Sequence, residues 1–207
     1  NNNYPMADKK LKANILDTRA AYTGFFELRR LTIVHDRFDG GTIGPLVREV
    51  LHRGDVVAAL LYDPFADKVV LAEQYRAGAH VAGVSPWLID IVAGRIEPGQ
   101  TPLEAITREI TEESGLTPNS IELIGTYLTA PHLSSEQVHL YCAMVDATAV
   151  AGIHGLAHEG EDIRPVLLAR TDALDLAQTR PLSLWAALGL GWLSNTLNQP
   201  TDGSHAS

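Results

Sequence analysis

Between Thr101 and Gly115 the chain encodes both ends of a single helix, and that helix constrains everything around it. Thr101 is a capping residue, Pro102 suits the first helical position, and Glu104 completes a capping box. Gly115 supplies a left-handed stop, and Pro118 follows soon after. Leu103, Ile106 and Ile110 then form an apolar stripe expected to face a core. At about 100° per residue, Glu109 and Glu113 lie one turn apart on the flank of that stripe, with Glu112 a little further round. Carboxylates crowded on one partly sheltered arc repel one another and destabilise the helix unless positive charge sits among them. Arg108 is one source of that charge. A hard divalent cation such as Mg²⁺ is another, because it prefers clustered carboxylate oxygens. Taken alone, these glutamates more often form a solvated acidic face with Arg108 in a surface ion pair.

A net charge of −9 repels phosphate backbones, so non-specific nucleic-acid binding is not expected. An acidic protein that handles phosphorylated ligands needs local positive charge, from arginine or from bound metal. The 207 residues, 45% hydrophobic and 20% charged, suffice for one globular domain with a buried core and a small appended unit. Cys142 is the single cysteine, which rules out an internal disulfide and suits a reducing compartment. The most apolar stretch, residues 182–193, is shorter than the roughly 18 to 20 residues that cross a bilayer. Residues 1–6 are polar, and Lys9, Lys10 and Lys12 lead into no apolar run of the kind a secretion signal carries. The expectation is a cytoplasmic protein that does not enter a membrane. The eight histidines show no H-E-x-x-H spacing, so no zinc site is expected, and His132, His154 and His158 read as bystanders.

Along the chain, β-branched and aromatic residues predict a strand over 25–34, a turn at Asp39-Gly40-Gly41, and a second strand over 43–51 that ends near Gly54. These outline a small β-rich unit over residues 1–54. Residues 56–61 and 69–71, joined by the Asp63-Pro64 turn, predict a buried hairpin. A short strand over 87–92 precedes the helix, and strands near 121–128 and 137–145 follow it. An irregular loop over 151–162 leads to a strand near 163–168 and helices over 171–178 and 182–197. The mixture lacks a βαβ rhythm and points to an α+β domain over 55–199, a mixed sheet covered by helices in an α/β/α sandwich. Residues 200–207 read as a flexible tail.

Residues 94–116 settle the ambiguity of the acidic helix. Gly94, Arg108, Glu109, Ile110, Glu112, Glu113, Gly115 and Leu116 fall in register with the box of the Nudix hydrolase family, which the chain resembles from about residue 25 to residue 197. One position departs: Gln100 stands where the family has a glutamate that braces the arginine. Gln100 keeps the capacity to hydrogen-bond Arg108 but brings no charge.

The resemblance implies a Nudix fold and Mg²⁺-dependent pyrophosphate hydrolysis, with Mn²⁺ as a substitute metal. It assigns Glu113, Glu109 and the Ala93 carbonyl as metal ligands, with Glu112 as a further or bridging ligand at the catalytic centre. The segment His158-Glu159-Gly160-Glu161-Asp162 resembles a stretch of the family's bacterial ADP-ribose pyrophosphatases. By that likeness Glu159 is the general base and Glu161 an additional metal ligand. The same subfamily carries a proline sixteen residues beyond the box's last glycine, which here is Pro131. Arg76 corresponds to an arginine at the phosphate end of the site, and Arg48 and Glu136 are candidate substrate contacts. The implied reaction converts ADP-ribose and water to AMP and ribose 5-phosphate, in a homodimer whose N-terminal β units exchange.

Three rivals remain. Residues 94–101 approach a phosphate-binding G-x-x-x-x-G-K-T loop, but Gln100 replaces the lysine and Glu97 brings negative charge into the cradle. A non-catalytic Nudix sensor of nucleotide sugars is disfavoured by the intact helix glutamates. Another nucleoside diphosphate sugar, such as ADP-glucose, is the alternative substrate.

Overall fold

In a computed structural model, residues 11–197 are described, and the expected tail at 200–207 lies outside them. The chain divides into two compact units. The first runs to Gly54 and also takes in Leu128–Glu136, and the second holds Asp55–Tyr127 and the chain from Gln137 onwards.

The first unit is an antiparallel sheet of β1 (Ala13–Thr23), β2 (Glu27–Asp36) and β3 (Thr42–His52). The β2–β3 connection closes at the expected turn, where Gly40 and Gly41 take φ of 99° and 76°. Such angles cost glycine nothing. Strand β1 was not expected from the sequence. Its residues are exposed throughout, so no inside-outside alternation marks it, and pairing with β2 defines it instead. The loop Leu128–Glu136 is stitched to the end of β3, with Leu51 bonded to the Leu133 carbonyl at 2.8 Å and Ser135 to the Leu51 carbonyl at 3.1 Å.

The second unit contains β4 (Val56–Asp63), β5 (Lys68–Tyr75), α1 (Ala77–Val81), β6 (Trp87–Asp90), β7 (Val92–Arg95), α2 (Pro102–Ser114), β8 (Ser120–Leu128), β9 (Gln137–Met144), β10 (Arg164–Ala169), α3 (Arg170–Thr179) and α4 (Leu184–Leu197). Its sheet runs β10-β5-β4-β9-β8, with β6 added to β5 and β7 to β4. The β4–β9 pair is parallel while β4–β5 and β5–β10 are antiparallel, so the sheet is mixed.

Strand β4 is buried along its whole length, and its alternation decides the layers. Val56, Ala58, Leu60 and Tyr62 join a cluster with Ala186, Leu190 and Leu193 of α4 and Ala173 of α3. Val57, Ala59 and Leu61 join the opposite cluster with Ala105, Ile106 and Ile110 of α2. Helices therefore cover both faces, as the sandwich reading requires. Each fully buried aliphatic side chain contributes about 1.5 to 3 kcal/mol, so truncating Leu60 would loosen the α4 face first. The Asp63 carboxylate fastens the β4–β5 turn by accepting from Phe65 and Ala66 (2.9 and 3.0 Å) and from Ala147 at 2.9 Å.

Two local expectations need correction. The strand predicted over 87–92 is two strands, β6 on β5 and β7 on β4, because the chain changes partner at Ile91. Leu103 is 52% exposed and does not join the core stripe of α2. It stands in the first turn, at the edge of the buried arc.

Candidate active site

Helix α2 begins and ends as its sequence dictates. Thr101 Oγ1 accepts from the Glu104 N–H (3.3 Å), Glu104 Oε2 accepts from the Thr101 N–H (2.8 Å), and Gly115 closes the helix at φ 70°. With its ends fixed, the helix buries Ala105, Ile106, Glu109, Ile110, Glu113 and Ser114. Glu109 and Glu113 thus lie within the buried arc, at 8% and 2% exposure, rather than on its flank.

Strand β7 runs beside α2, and each of three consecutive residues holds one member of the box. The Ala93 N–H donates to Glu113 Oε2 at 3.1 Å. Gly94 makes room for Glu109: a Cβ there would fall 1.8 Å from Glu109 Oε1, so no other residue fits without moving the carboxylate. The Arg95 carbonyl accepts from Arg108 Nη2 at 3.1 Å. Arg108 in turn bonds Glu109 Oε1 at 2.8 Å and Glu112 Oε2 at 2.7 Å. Gln100 does not brace it. Its Oε1 accepts instead from the Glu97 N–H at 3.2 Å, closing the turn before the helix.

Burial governs the electrostatics. Loss of solvent pushes the Glu109 carboxyl up to about 7, against the pull of Arg108 and with repulsion from Glu112 and Glu161. Burial pushes Glu113 up to about 8. The Ala93 N–H and the charge of Arg76 oppose that rise, and Glu109 and Glu161 add to it. Glu161 therefore acts on both carboxylates, and Arg76 on Glu113.

The acidic loop reaches α2 through His154 and Gly155. His154 pairs with Ile163 through both backbone bonds (2.8 and 3.0 Å), and the Gly155 N–H donates to the Glu112 carbonyl at 3.1 Å. The His154 ring covers Gly115, where a Cβ would meet its Cε1 at 2.5 Å, and Nε2 lies 2.7 Å from the Ala151 carbonyl. His154 thus clasps the loop to the end of the helix, which is a packing role. Glu161 Oε2 accepts from the Leu156 N–H at 3.0 Å. Glu159 sits exposed on the turn Ala157–Glu159, with Oε1 3.7 Å from His158 Nε2.

Arg76, just beyond β5, donates from Nη2 to Asp90 Oδ2 at 3.2 Å. Asp90 is 2% exposed and also accepts from the Ser183 hydroxyl. Sequence reading missed both residues. They stand 14 and 107 positions from Arg76, and no local pattern links them. The remaining candidates belong to the first unit. Arg48 is exposed on β3 with Nη1 on the Val47 carbonyl (2.8 Å), Pro131 is exposed, and Glu136 is partly buried with its N–H on Ser134 Oγ (3.1 Å).

The donor chemistry suits a hard divalent cation, since two buried carboxylates share one wall and Glu112 and Glu161 lie beside them. Among the described residues, no three carboxylate, histidine or cysteine side chains are grouped to hold an ion as they stand. Arg108 pairs with Glu109 Oε1 and Glu112 Oε2 as they stand.

A mixed sheet between helices, carrying this glutamate helix against a glycine-containing strand, defines the Nudix class. Residues 52–184 match the family described as NUDIX domain, and the chain belongs to it. It is 36% identical over 183 residues to a Haemophilus influenzae protein named ADP-ribose pyrophosphatase, covering 86% of this chain and 84% of that one. It is 35% identical over 192 residues to an Escherichia coli protein of the same name, covering 92% of each. A solved structure described as an ADP compounds hydrolase shares the fold, with a TM-score of 0.66 at 21% identity over 89% of this chain and 96% of that one.

Proposed function

We propose that this protein is a Mg²⁺-dependent Nudix pyrophosphohydrolase that cleaves ADP-ribose to AMP and ribose 5-phosphate. The buried pair Glu109 and Glu113 carries the reading, because two carboxylates deprived of solvent this deeply need a cation to be charged together near neutral pH. The relatives named ADP-ribose pyrophosphatase support the substrate, since the likeness extends over most of both chains.

Glu109, Glu113 and the Ala93 carbonyl would hold the metal, with Glu112 and Glu161 completing its surroundings and Mn²⁺ able to replace Mg²⁺. Bound there, it would supply positive charge against the diphosphate and lower the pKa of a water. Arg76 binds the diphosphate and offsets the charge that shifts onto the leaving phosphate. Glu159 takes the proton from the attacking water. Its exposed position on a short turn suits a base that closes over substrate. As the new P–O bond forms, the P–O–P bridge breaks and its electrons leave on the second phosphate. Arg48, Pro131 and Glu136 are proposed to contact the nucleotide sugar.

We read residues 1–54 as a β unit exchanged within a homodimer and 55–199 as the hydrolase domain. The exposed Ile15, Leu16, Tyr22 and Val47 support this, since apolar side chains on a three-stranded sheet favour being covered. No described helix is long and apolar enough to cross a membrane, and we propose a cytoplasmic location.

Incubation with Mg²⁺ and a panel containing ADP-ribose, ADP-glucose, a GDP-sugar and a dinucleoside polyphosphate tests the function. Chromatography should show AMP and ribose 5-phosphate as the fastest-forming products. Preferred cleavage of another panel member would reject ADP-ribose as the substrate, and no cleavage of any would favour a sensor.

A further inference from the structure

Asp90 ends β6 almost fully buried, where an unpaired carboxylate is costly. Three donors satisfy it: the Ile91 N–H at 2.8 Å, the Ser183 hydroxyl, and Arg76 Nη2 at 3.2 Å. Ser183 is itself fixed, because its Oγ accepts from the Ala186 N–H (3.1 Å) and its carbonyl from the Ala187 N–H (3.1 Å) at the start of α4. Helix α4 packs on the face of the sheet opposite to α2. The chain of bonds from α4 through Ser183 and Asp90 to Arg76 therefore refers the position of Arg76 to the far layer of the core.

Asp90 receives one N–H of the Arg76 guanidinium, and that side chain remains 35% exposed. A guanidinium has five N–H donors in a rigid plane, so fixing one edge aims the others. Arg76 lies near enough to Glu113 for its charge to be felt there, and Asp90 holds it by one edge.

We propose that Asp90 and Ser183 are positioning residues that aim Arg76 at the substrate diphosphate. The proposal rests on reading Arg76 as the diphosphate contact. Neither residue touches the reacting atoms, and their effect passes through the orientation of one guanidinium.

A double-mutant cycle separates this role from simple support of the fold. ADP-ribose kinetics with Mg²⁺ would be measured for wild type, Asp90→Asn, Arg76→Ala and the double variant. Asp90→Asn should raise KM on the order of 10-fold, as expected for a misaimed binding group, with a smaller change in kcat. The double variant should be no worse than Arg76→Ala alone, because without the arginine there is nothing to aim. Full additivity of the two losses, or an Asp90→Asn enzyme with lower melting temperature and unchanged KM, would overturn the proposal. If Asp90→Asn does not fold, Ser183→Ala and Ser183→Thr replace it. Alanine should raise KM, threonine should restore it by keeping the hydroxyl, and failure of threonine to do so counts against the relay. Inorganic pyrophosphate binding with Mg²⁺, followed by calorimetry, keeps the two hypotheses apart. A wild type that binds pyrophosphate but leaves ADP-ribose intact refutes the substrate, and the same cycle on Kd then decides the relay.

Discussion

Replacing Glu113 with glutamine should flatten the loss of stability that the metal-free protein suffers as pH rises. In the folded chain burial holds Glu113 up to about 8 and Glu109 up to about 7, against an ordinary value of 4.5 for each. Between about pH 4.5 and those values the folded state keeps protons that the unfolded chain has released. Stability must therefore fall with rising pH across that window, by on the order of 1 kcal/mol per pH unit for each group. Above about pH 8 both carboxylates are ionised in either state, and the penalty is complete. Glutamine at 113 can still accept the Ala93 N–H but cannot ionise, so only the Glu109 window remains. Urea denaturation in EDTA from pH 5 to pH 9, followed by tryptophan fluorescence, reads the difference. The variant should be less stable than wild type by little at pH 5 and more stable by roughly 2 to 4 kcal/mol at pH 9. In wild type, Mg²⁺ should recover most of the loss at high pH, because bound metal favours the ionised form. Parallel pH profiles for the two proteins would show that Glu113 is not the buried acid described above.

The same substitution should nearly abolish turnover. Glu159→Gln should lower kcat by about 10² to 10⁴-fold, the usual contribution of a general base, with the Mg²⁺ dependence little changed; undiminished turnover would move the base elsewhere. Gly94→Ala should cost roughly 10 to 100-fold in Mg²⁺ affinity or activity, since its Cβ would displace the Glu109 carboxylate, and unchanged Mg²⁺ titration would contradict that contact. Gly115→Ala should destabilise by about 1 to 2 kcal/mol from the left-handed backbone alone, with more from displacing His154. Thermal unfolding checks it, and a shift of under a degree would mean that neither strain nor clasp matters.

The bounds of helix α2 were legible in the sequence, because a capping box, a terminal glycine and i,i+4 spacing are local consequences of backbone hydrogen bonding. Box spacing likewise exposed Glu109, Glu112 and Glu113, and the unbroken apolar run over 56–61 announced a buried strand. Tertiary structure decided the rest. It buried Glu109 and Glu113 rather than leaving them on a flank, turned Leu103 outwards, and gave Gln100 to the Glu97 backbone rather than to Arg108. It also joined Arg76 to Asp90 and Ser183, and seated His154 on Gly115. Helical spacing fixes which side chains share a face within a turn or two. Solvent exclusion and long-range polar pairing depend on which distant segment packs against that face, and neighbouring residues carry no record of it.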